Sequence, residues 1–378
     1  MQKKLATRAG LVICSTLVAF GLCEVAARIV FPAPPDPGRQ PQIVYRYDPE
    51  LRYVLSPNQK GWIDDGLITV NALGFRGREV SVPKPAGRFR IMVVGDSLTI
   101  GWGVADDETY SAQLERLLPE YHGHDVDVVN GGIGGYNTRQ EVAMLRRQVS
   151  KLEPDLVLVG FYSNDVPDAL EDASTTASGG TRIATTQLEP GQVLHMTHGA
   201  PSSWWDHQLR KSRAVFTLGR AVKRFLGNSE STTPTFSMEL DLLEGRESPS
   251  LERAWQTVER QFEELRDLAA SAGFSVGIVV LPCREQVAGQ YANARYQNRI
   301  RSIAERLGFA MIDPLPPLSQ SPMRKDRLFI PYDRNHPSAA GHHIIAQTIA
   351  RYLQEHDVLA AGSKDHLQGG LSVVSRTP

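Results

Sequence analysis

Five short apolar runs recur along the chain beyond residue 88, and segments with helical spacing separate them. The runs cover residues 89–94, 126–129, 156–161, 275–281 and 309–312. Each run is continuously apolar instead of alternating, which is typical of strands that are buried on both faces of a parallel sheet. The pattern predicts a three-layer α/β/α sandwich with a central parallel five-stranded sheet.

The segments between these runs carry the start and stop signals of helices. One helix is predicted to begin near Thr138 and to stop before Pro154, and Ser250 is a candidate N-cap for a longer helix. Gly308 is positioned to end the helix that follows. Strands and helices therefore alternate, as a parallel sheet requires.

The N-terminus has the pattern of a membrane segment. Lys3, Lys4 and Arg8 precede an uncharged apolar stretch at 9–23, and apolar residues resume at 25–31. We expect residues 1–31 to form an N-terminal transmembrane helix that anchors the protein, and a signal peptide cleaved after Ala27 is the alternative. Both interpretations place the body of the protein outside the cytoplasm, because positive charge stays inside.

The remaining organisation follows from composition. We expect a Pro-rich linker at 32–42, a β-like structural collar at 43–87, the main domain at 88–357 and a disordered tail at 358–378. An insertion at about 168–249 interrupts the main domain. It contains a basic helical segment that bears Phe216, Leu218, Val222 and Leu226 and follows Trp204 and Trp205. Packing on the domain is the expected role of this helix, and a lid or an interfacial helix is the alternative.

Composition and charge exclude several classes of function. The 378 residues have a formal net charge of −1 and no basic stripe, so nucleic-acid binding is not expected. Cys283 is the only cysteine beyond the N-terminal run, which excludes a disulfide framework or a cysteine zinc site there. His195 and His198 fall in an ordinary polar loop, so we expect no metal. The "NGGIGG" stretch lacks the G-x-G-x-x-G spacing, so we expect no cofactor.

Polar residues occur at four places that are expected at the carboxyl ends of the strands, where parallel sheets bind their ligands. They are Gly95-Asp96-Ser97, the loop "NGGIGGYN" that starts at Asn130, Asn164-Asp165, and the pair Asp333 and His336. Each element alone is common in turns, but four in order at strand ends are not.

Together these residues supply the parts of an ester-cleaving site. Ser97 is the candidate nucleophile, His336 the base, and Asp333 the carboxylate that orients His336. The backbone N–H of Ser97, an N–H of the glycine loop and the Asn164 amide are candidate donors for the oxyanion. A nucleophile elbow is not expected, because that motif is G-x-S-x-G and Thr99 stands where its second glycine should be.

These blocks resemble the SGNH hydrolases, also called GDSL esterases or lipases, of the membrane-anchored bacterial type. The resemblance covers about residues 88–355 and implies a flavodoxin-like fold with Ser97, Asp333 and His336 as catalytic residues. It implies an oxyanion hole formed by Ser97, Gly135 and Asn164, with Asn130 opening the glycine block. The chain departs from the family pattern at Tyr162, where glycine is usual.

The sequence therefore predicts a serine esterase that hydrolyses short-chain or acetyl esters of a small molecule or glycan. A polysaccharide O-acetyltransferase that uses the same site is the alternative. A non-catalytic envelope assembly module is a further alternative.

Overall fold

The computed structural model describes residues 2–33, 39–170, 193–195, 211–225, 234–291, 293–331 and 333–358. The strands are β1 (Val44–Asp48), β2 (Arg52–Leu55), β3 (Gln59–Ile63), β4 (Gly66–Val70), β5 (Arg88–Gly95), β6 (Glu120–Tyr121), β7 (His124–Gly132), β8 (Leu156–Phe161), β9 (Val193–His195), β10 (Ser275–Val280) and β11 (Ala310–Ile312). The helices are α1 (Gln2–Val30), α2 (Ser97–Ile100), α3 (Tyr110–Leu117), α4 (Thr138–Leu152), α5 (Asp165–Asp168), α6 (Arg213–Phe225), α7 (Pro234–Glu244), α8 (Pro249–Ala272), α9 (Arg284–Val287), α10 (Arg295–Leu307), α11 (Leu315–Gln320) and α12 (Ala339–Glu355).

The central sheet has the strand order β11-β10-β8-β5-β7-β6. Its first five members run parallel, and they are the five strands predicted from the apolar runs. The predicted α/β sandwich is therefore confirmed. The strand β5 lies between β7 and β8, so its carboxyl end sits at the middle of the sheet edge. That position is where ligands bind in open α/β sheets.

Two details of the sheet and one helix start differ from expectation. The strand β7 extends beyond the predicted 126–129, because its pairing with β5 continues through Gly95 and Gly132. The short strand β6 adds an antiparallel edge to β7. The helix α8 begins earlier than predicted, because Ser248 and not Ser250 caps it, with Pro249 in the first turn where its missing N–H costs no hydrogen bond.

Alternate residues of β5 face two separate cores. Met92 and Val94 pack in a core that includes Phe262 of α8. Ile91 and Val93 pack in a second core that includes Ile345 of α12. All four β5 side chains are fully buried. Helices therefore cover both faces, which is why the strands read as continuous apolar runs.

Residues 43–87 form two antiparallel β pairs. The strand β1 pairs with β2 on one side and with β9 on the other, and β3 and β4 form a tight hairpin around Asp64 and Asp65. His195 lies at the end of β9 instead of in a loop, which corrects the prediction. His198, Trp204, Trp205, Leu226 and the tail beyond residue 358 lie outside the described residues.

The chain divides into two compact units. One contains Met1–Gly38 and Gly199–Thr232, and the other contains Arg39–His198 and Thr233–Pro378. In the first unit, α1 includes a segment Gly10–Val30 with a mean hydropathy of 2.0, long and apolar enough to cross a membrane. A signal sequence near an N-terminus has the same properties.

Candidate active site

Ser97 begins the short helix α2 directly after β5. Asp96 caps this helix, since its carboxylate accepts a hydrogen bond from the N–H of Leu98 at 2.8 Å. Gly95 lets the chain turn closely here, because a Cβ at this position would lie 2.1 Å from Oγ1 of Thr99. Ser97 is 7% exposed, so the turn holds its hydroxyl at the rim of the sheet without leaving it in open solvent.

His336 and Asp333 reach Ser97 from the loop before α12. The Nε2 atom of His336 lies 2.8 Å from Oγ of Ser97, and its Nδ1 atom lies 2.8 Å from Oδ2 of Asp333. The other carboxylate oxygen of Asp333 accepts backbone N–H bonds from Asn335 at 2.7 Å and His336 at 2.9 Å. The carboxylate therefore fixes both the imidazole ring and the loop that carries it. This network assigns the proton to Nδ1 and leaves Nε2 to accept from Ser97.

Electrostatics favour charge separation between these two residues. Burial alone lowers the pKa of His336, but the charge of Asp333 and the hydrogen bond to it outweigh burial and raise that pKa above 6.5. Burial alone raises the pKa of Asp333, but His336 and the backbone N–H groups lower it well below its ordinary value. Asp333 is thus ionised and stabilises a proton on the imidazole.

The glycine loop after β7 lies against α2. A Cβ on Gly132 would lie 2.2 Å from the backbone nitrogen of Ile100, so only glycine allows this approach. The Asn130 side chain accepts from the N–H of Gly132 and donates to the carbonyl of Thr99, each at 3.0 Å. Asn130 thereby connects the loop to the helix that begins with Ser97.

Gly135, predicted as an oxyanion donor, follows in the same loop. Its φ of +75° lies in the left-handed region. The loop is joined to the nucleophile turn by a hydrogen bond of 2.9 Å from the N–H of Ile133 to the carbonyl of Gly95. The preceding carbonyl, that of Gly134, accepts from the hydroxyl of Tyr53 at 3.0 Å. The β1–β2 pair therefore contributes to holding the loop.

Asn164, the other predicted donor, follows β8 and is 8% exposed. Its Nδ2 atom lies 3.4 Å from Oδ2 of Asp96, the residue before the nucleophile. The structure thus brings Asn164 to the turn that holds Ser97. Asp96, treated as a turn-former in the sequence, also contacts the candidate oxyanion amide.

Three carboxyl groups in this region are almost fully buried, those of Asp96, Glu141 and Asp165. Burial raises the pKa of Asp96 to about 6, and it raises the pKa values of Glu141 and Asp165 well above their ordinary range. The charge of Asp96 also raises the pKa values of Glu141 and Asp165, and the charge of Glu141 raises that of Asp165. Burial and the negative charge of neighbouring carboxyls therefore favour the protonated forms of Glu141 and Asp165.

Two residues outside the predicted set, Trp102 and Asp64, complete the surroundings of His336. The Trp102 ring stacks on the His336 ring, with centroids 5.8 Å apart and an interplanar angle of 28°. Its indole Nε1–H donates to Oδ2 of Asp64 at 2.7 Å. Asp64 sits in the β3–β4 turn, so the collar has a partner at the site besides its expected structural role. The signal for Trp102 was a tryptophan between glycines in "GWG", soon after the nucleophile.

The inserted helix α7 contacts two of the loops that build the site. The Ser163 hydroxyl donates to Oε1 of buried Glu239 at 2.7 Å. On the other loop, the Arg334 guanidinium lies over the Phe236 ring at 5.0 Å from its centroid. Ser163 and Arg334 are the neighbours of Asn164 and Asp333 along the chain. The helix therefore braces both loops from one side.

No group of three or more His, Cys, Asp or Glu side chains that could hold a metal ion occurs within the described ranges. His342 packs instead against α3, where its Nδ1 accepts from the N–H of Tyr110 at 3.2 Å. His343 shares a hydrogen bond of 2.6 Å with Gln113.

The parallel sheet and the chain of hydrogen bonds from Ser97 to His336 to Asp333 define a class, that of α/β proteins with a serine-hydrolase arrangement. Residues 93–344 match the model of the GDSL-like lipase/acylhydrolase family. The chain belongs to this family. The matched range starts within β5 and ends within α12, so it contains all the predicted site residues.

One relative and two solved structures illustrate what the chain is similar to. An arylesterase of Vibrio mimicus is 37% identical over 76 residues, which are 20% of this chain and 38% of the relative. The aligned part thus spans well under half of that relative's length. A structure of LAE5, an alpha/beta hydrolase enzyme from the metagenome of Lake Arreo, Spain, is similar over 70% of this chain and 95% of its own, with 18% identity and a TM-score of 0.41. An acetylxylan esterase of Geobacillus stearothermophilus is similar over 72% and 97%, with 16% identity and a TM-score of 0.37.

Proposed function

We propose that the protein is a serine esterase that cleaves carboxylic esters through a covalent acyl-enzyme. The observation that carries this proposal is the continuous chain of two 2.8 Å contacts from Ser97 through His336 to Asp333. Membership of a lipase/acylhydrolase family supports the same conclusion.

In the proposed reaction, Oγ of Ser97 attacks the acyl carbon while its proton passes to Nε2 of His336. The resulting imidazolium is stabilised by the ionised Asp333. When the tetrahedral intermediate collapses, His336 gives this proton to the leaving alcohol and the acyl group stays on Ser97. Water then attacks the acyl-enzyme with His336 again as base, which releases the acid and restores the hydroxyl.

Three donors are proposed to stabilise the oxyanion of the tetrahedral intermediates. They are the backbone N–H groups of Ser97 and Gly135 and the side-chain amide of Asn164. The attachment of the glycine loop to Gly95 and the contact of Asn164 with Asp96 support this assignment. Removing one such donor costs about 3–4 kcal/mol of transition-state stabilisation in a comparable hydrolase.

We propose further that the acyl group is short. Support comes from burial around the nucleophile, since Ser97 is 7% and Trp102 1% exposed. Each carbon added to the acyl chain must find room beside side chains that are already packed. Hydrolysis of p-nitrophenyl esters from acetyl to palmitoyl tests this, and a rate that rises steadily toward palmitoyl contradicts it.

The mechanism is tested with Ser97→Ala in the full-length protein. We expect hydrolysis of p-nitrophenyl acetate to fall to the background rate, and a phosphonate probe to label the wild type only. Ser111→Ala is a matched control, because Ser111 is also buried and its hydroxyl has no hydrogen-bond partner among the described residues. Unchanged turnover in Ser97→Ala contradicts the mechanism.

We propose that α1 anchors the protein and that the catalytic unit faces away from the cytoplasm. Lys3, Lys4 and Arg8 precede the apolar segment Gly10–Val30, which supports this orientation by the positive-inside rule. Protease digestion of intact spheroplasts tests it, since the catalytic unit should be cut without lysis. Protection until lysis contradicts the orientation.

A further inference from the structure

Helix α6 has a strongly amphipathic surface. Leu218 and Val222 are four residues apart and so lie on one face, where they are 65% and 46% exposed. Arg220 lies about 200° around the helix from Leu218, on the opposite face. The sequence of the helix, RAVFTLGRAVKRF, has four basic residues and no acidic one. Large apolar side chains this exposed on one face of a helix mark a surface that something covers.

The start of α6 is fixed to α1 through Glu24. The Glu24 carboxylate accepts hydrogen bonds from the Ser212 hydroxyl at 2.8 Å, the Arg213 N–H at 3.1 Å and the Ala214 N–H at 3.0 Å. It therefore satisfies N–H groups in the first turn of α6 that have no partner within their own helix. A carboxylate is also favoured there by the helix dipole.

A second set of contacts places the junction at the end of α1. The guanidinium of Arg213 donates to the carbonyl of Arg28 at 3.1 Å and to that of Phe31 at 2.8 Å. Arg28 in turn pairs with Glu24 at 2.7 Å. The contacts thus involve the last two turns of α1 and the residue beyond it. The exposed part of α6 starts within two turns of the point where the apolar segment Gly10–Val30 ends.

We propose that α6 lies in the interface of the same bilayer that α1 crosses, on a surface that contains anionic lipids. This inference rests on the proposed membrane span of α1. Continuity with α1 brings the helix to the membrane boundary, and there the Leu218 and Val222 face can enter the acyl region. A helix whose sequence has basic residues and no acidic one is then complementary in charge to phosphate headgroups.

The test uses the full-length protein in phosphatidylcholine vesicles, with and without phosphatidylglycerol. Single cysteines carry a nitrobenzoxadiazole label at position 218, 222 or 220, in a background in which the native cysteines are replaced. Native Cys14, exposed in the middle of α1, is labelled separately as the reporter of the span. Doxyl groups on the lipid acyl chains and aqueous iodide serve as opposing quenchers.

We expect labels at 218 and 222 to be quenched by doxyl lipids at about 5–10 Å below the headgroup boundary, and the label at 220 to be quenched by iodide. Adding phosphatidylglycerol should increase the lipid quenching at 218 and 222. Two apolar-face sites are used so that one poorly folded variant leaves the other informative.

Three results overturn the proposal. Iodide-accessible labels at 218 and 222 beside a lipid-quenched Cys14 show that α1 spans but α6 does not bind lipid. Self-quenching between copies at 218 without lipid quenching shows that a second copy covers the face. A Cys14 label that lipid does not quench contradicts the proposal that α1 crosses the membrane. None of these results bears on the test of ester hydrolysis by Ser97→Ala.

Discussion

The contact between Asp64 and Trp102 predicts that the β3–β4 turn influences the pKa of His336, the proposed catalytic base. Asp64→Asn retains an oxygen acceptor of the same size for the Trp102 N–H but removes the charge. Hydrogen bonds to charged groups are worth roughly 1.5–3 kcal/mol and neutral ones about 0.5–1.5 kcal/mol. We therefore expect the free energy of unfolding to fall by about 1–1.5 kcal/mol.

The same substitution should move the pH dependence of hydrolysis. The charge of Asp64 is one of the groups that raise the pKa of His336. His336 must be neutral to accept the Ser97 proton, so kcat/KM rises with pH as the imidazole loses its proton. Without the Asp64 charge the pKa of His336 falls. The acid limb of the profile, which is the part where kcat/KM rises with pH, should therefore shift to lower pH. At alkaline pH a loosened Trp102 ring should reduce kcat/KM about fivefold, or about 1 kcal/mol.

Asp65→Asn is the matched control on the same turn. Asp65 pairs with Arg39 at 3.0 Å, and both side chains are 40% exposed. Exposed ion pairs contribute little to stability. We therefore expect the free energy of unfolding to change by less than about 1 kcal/mol and the acid limb to stay in place. The measurements are urea unfolding and the pH profile of p-nitrophenyl acetate hydrolysis. If Asp64→Asn loses stability but leaves the acid limb where the Asp65 variant has it, the coupling between Asp64 and His336 is refuted.

Three further predictions concern the same site. Gly132→Ala should lose folded protein or activity in expression and turnover assays, because its Cβ would lie 2.2 Å from a backbone nitrogen of α2. The wild-type acid limb of kcat/KM should lie above pH 6.5, and Asp333→Asn should move it down, since Asp333 raises the pKa of His336. Glu239→Ala should cost about 1–3 kcal/mol in urea unfolding by leaving the buried Ser163 hydroxyl unpaired, and Glu239→Gln should cost less.

The sheet could be predicted because its strands are buried on both faces and so leave an apolar signal. The extension of β7 to Gly132 could not, because the glycines and Asn130 remain in the strand only through pairing with β5. The start of α8 was misplaced by two residues, since Ser248 and Ser250 are both acceptable caps in isolation. Pro249, which fits only a first turn, was the signal that decides between them.

In the candidate site, too, some features could be predicted from the sequence and others could not. Ser97, His336 and Asp333 could be predicted to lie together because each follows a strand or precedes a helix in a recognisable block. The partnership of Asp64 with Trp102 joins residues 38 positions apart. No local pattern encodes such a contact, because it depends on how the β3–β4 turn packs after folding.

The division of the chain into two units has a consequence for the proposed membrane anchor. The backbone passes between the units three times, after Gly38, after His198 and after Thr232. A protease that cuts only the Pro-rich segment before Arg39 therefore leaves α6 covalently joined to the catalytic unit and hydrogen-bonded to the severed α1. Release of the catalytic unit from the proposed anchor would need the hydrogen bonds between Glu24 and the start of α6 to open as well, so a single cut is not enough to free it.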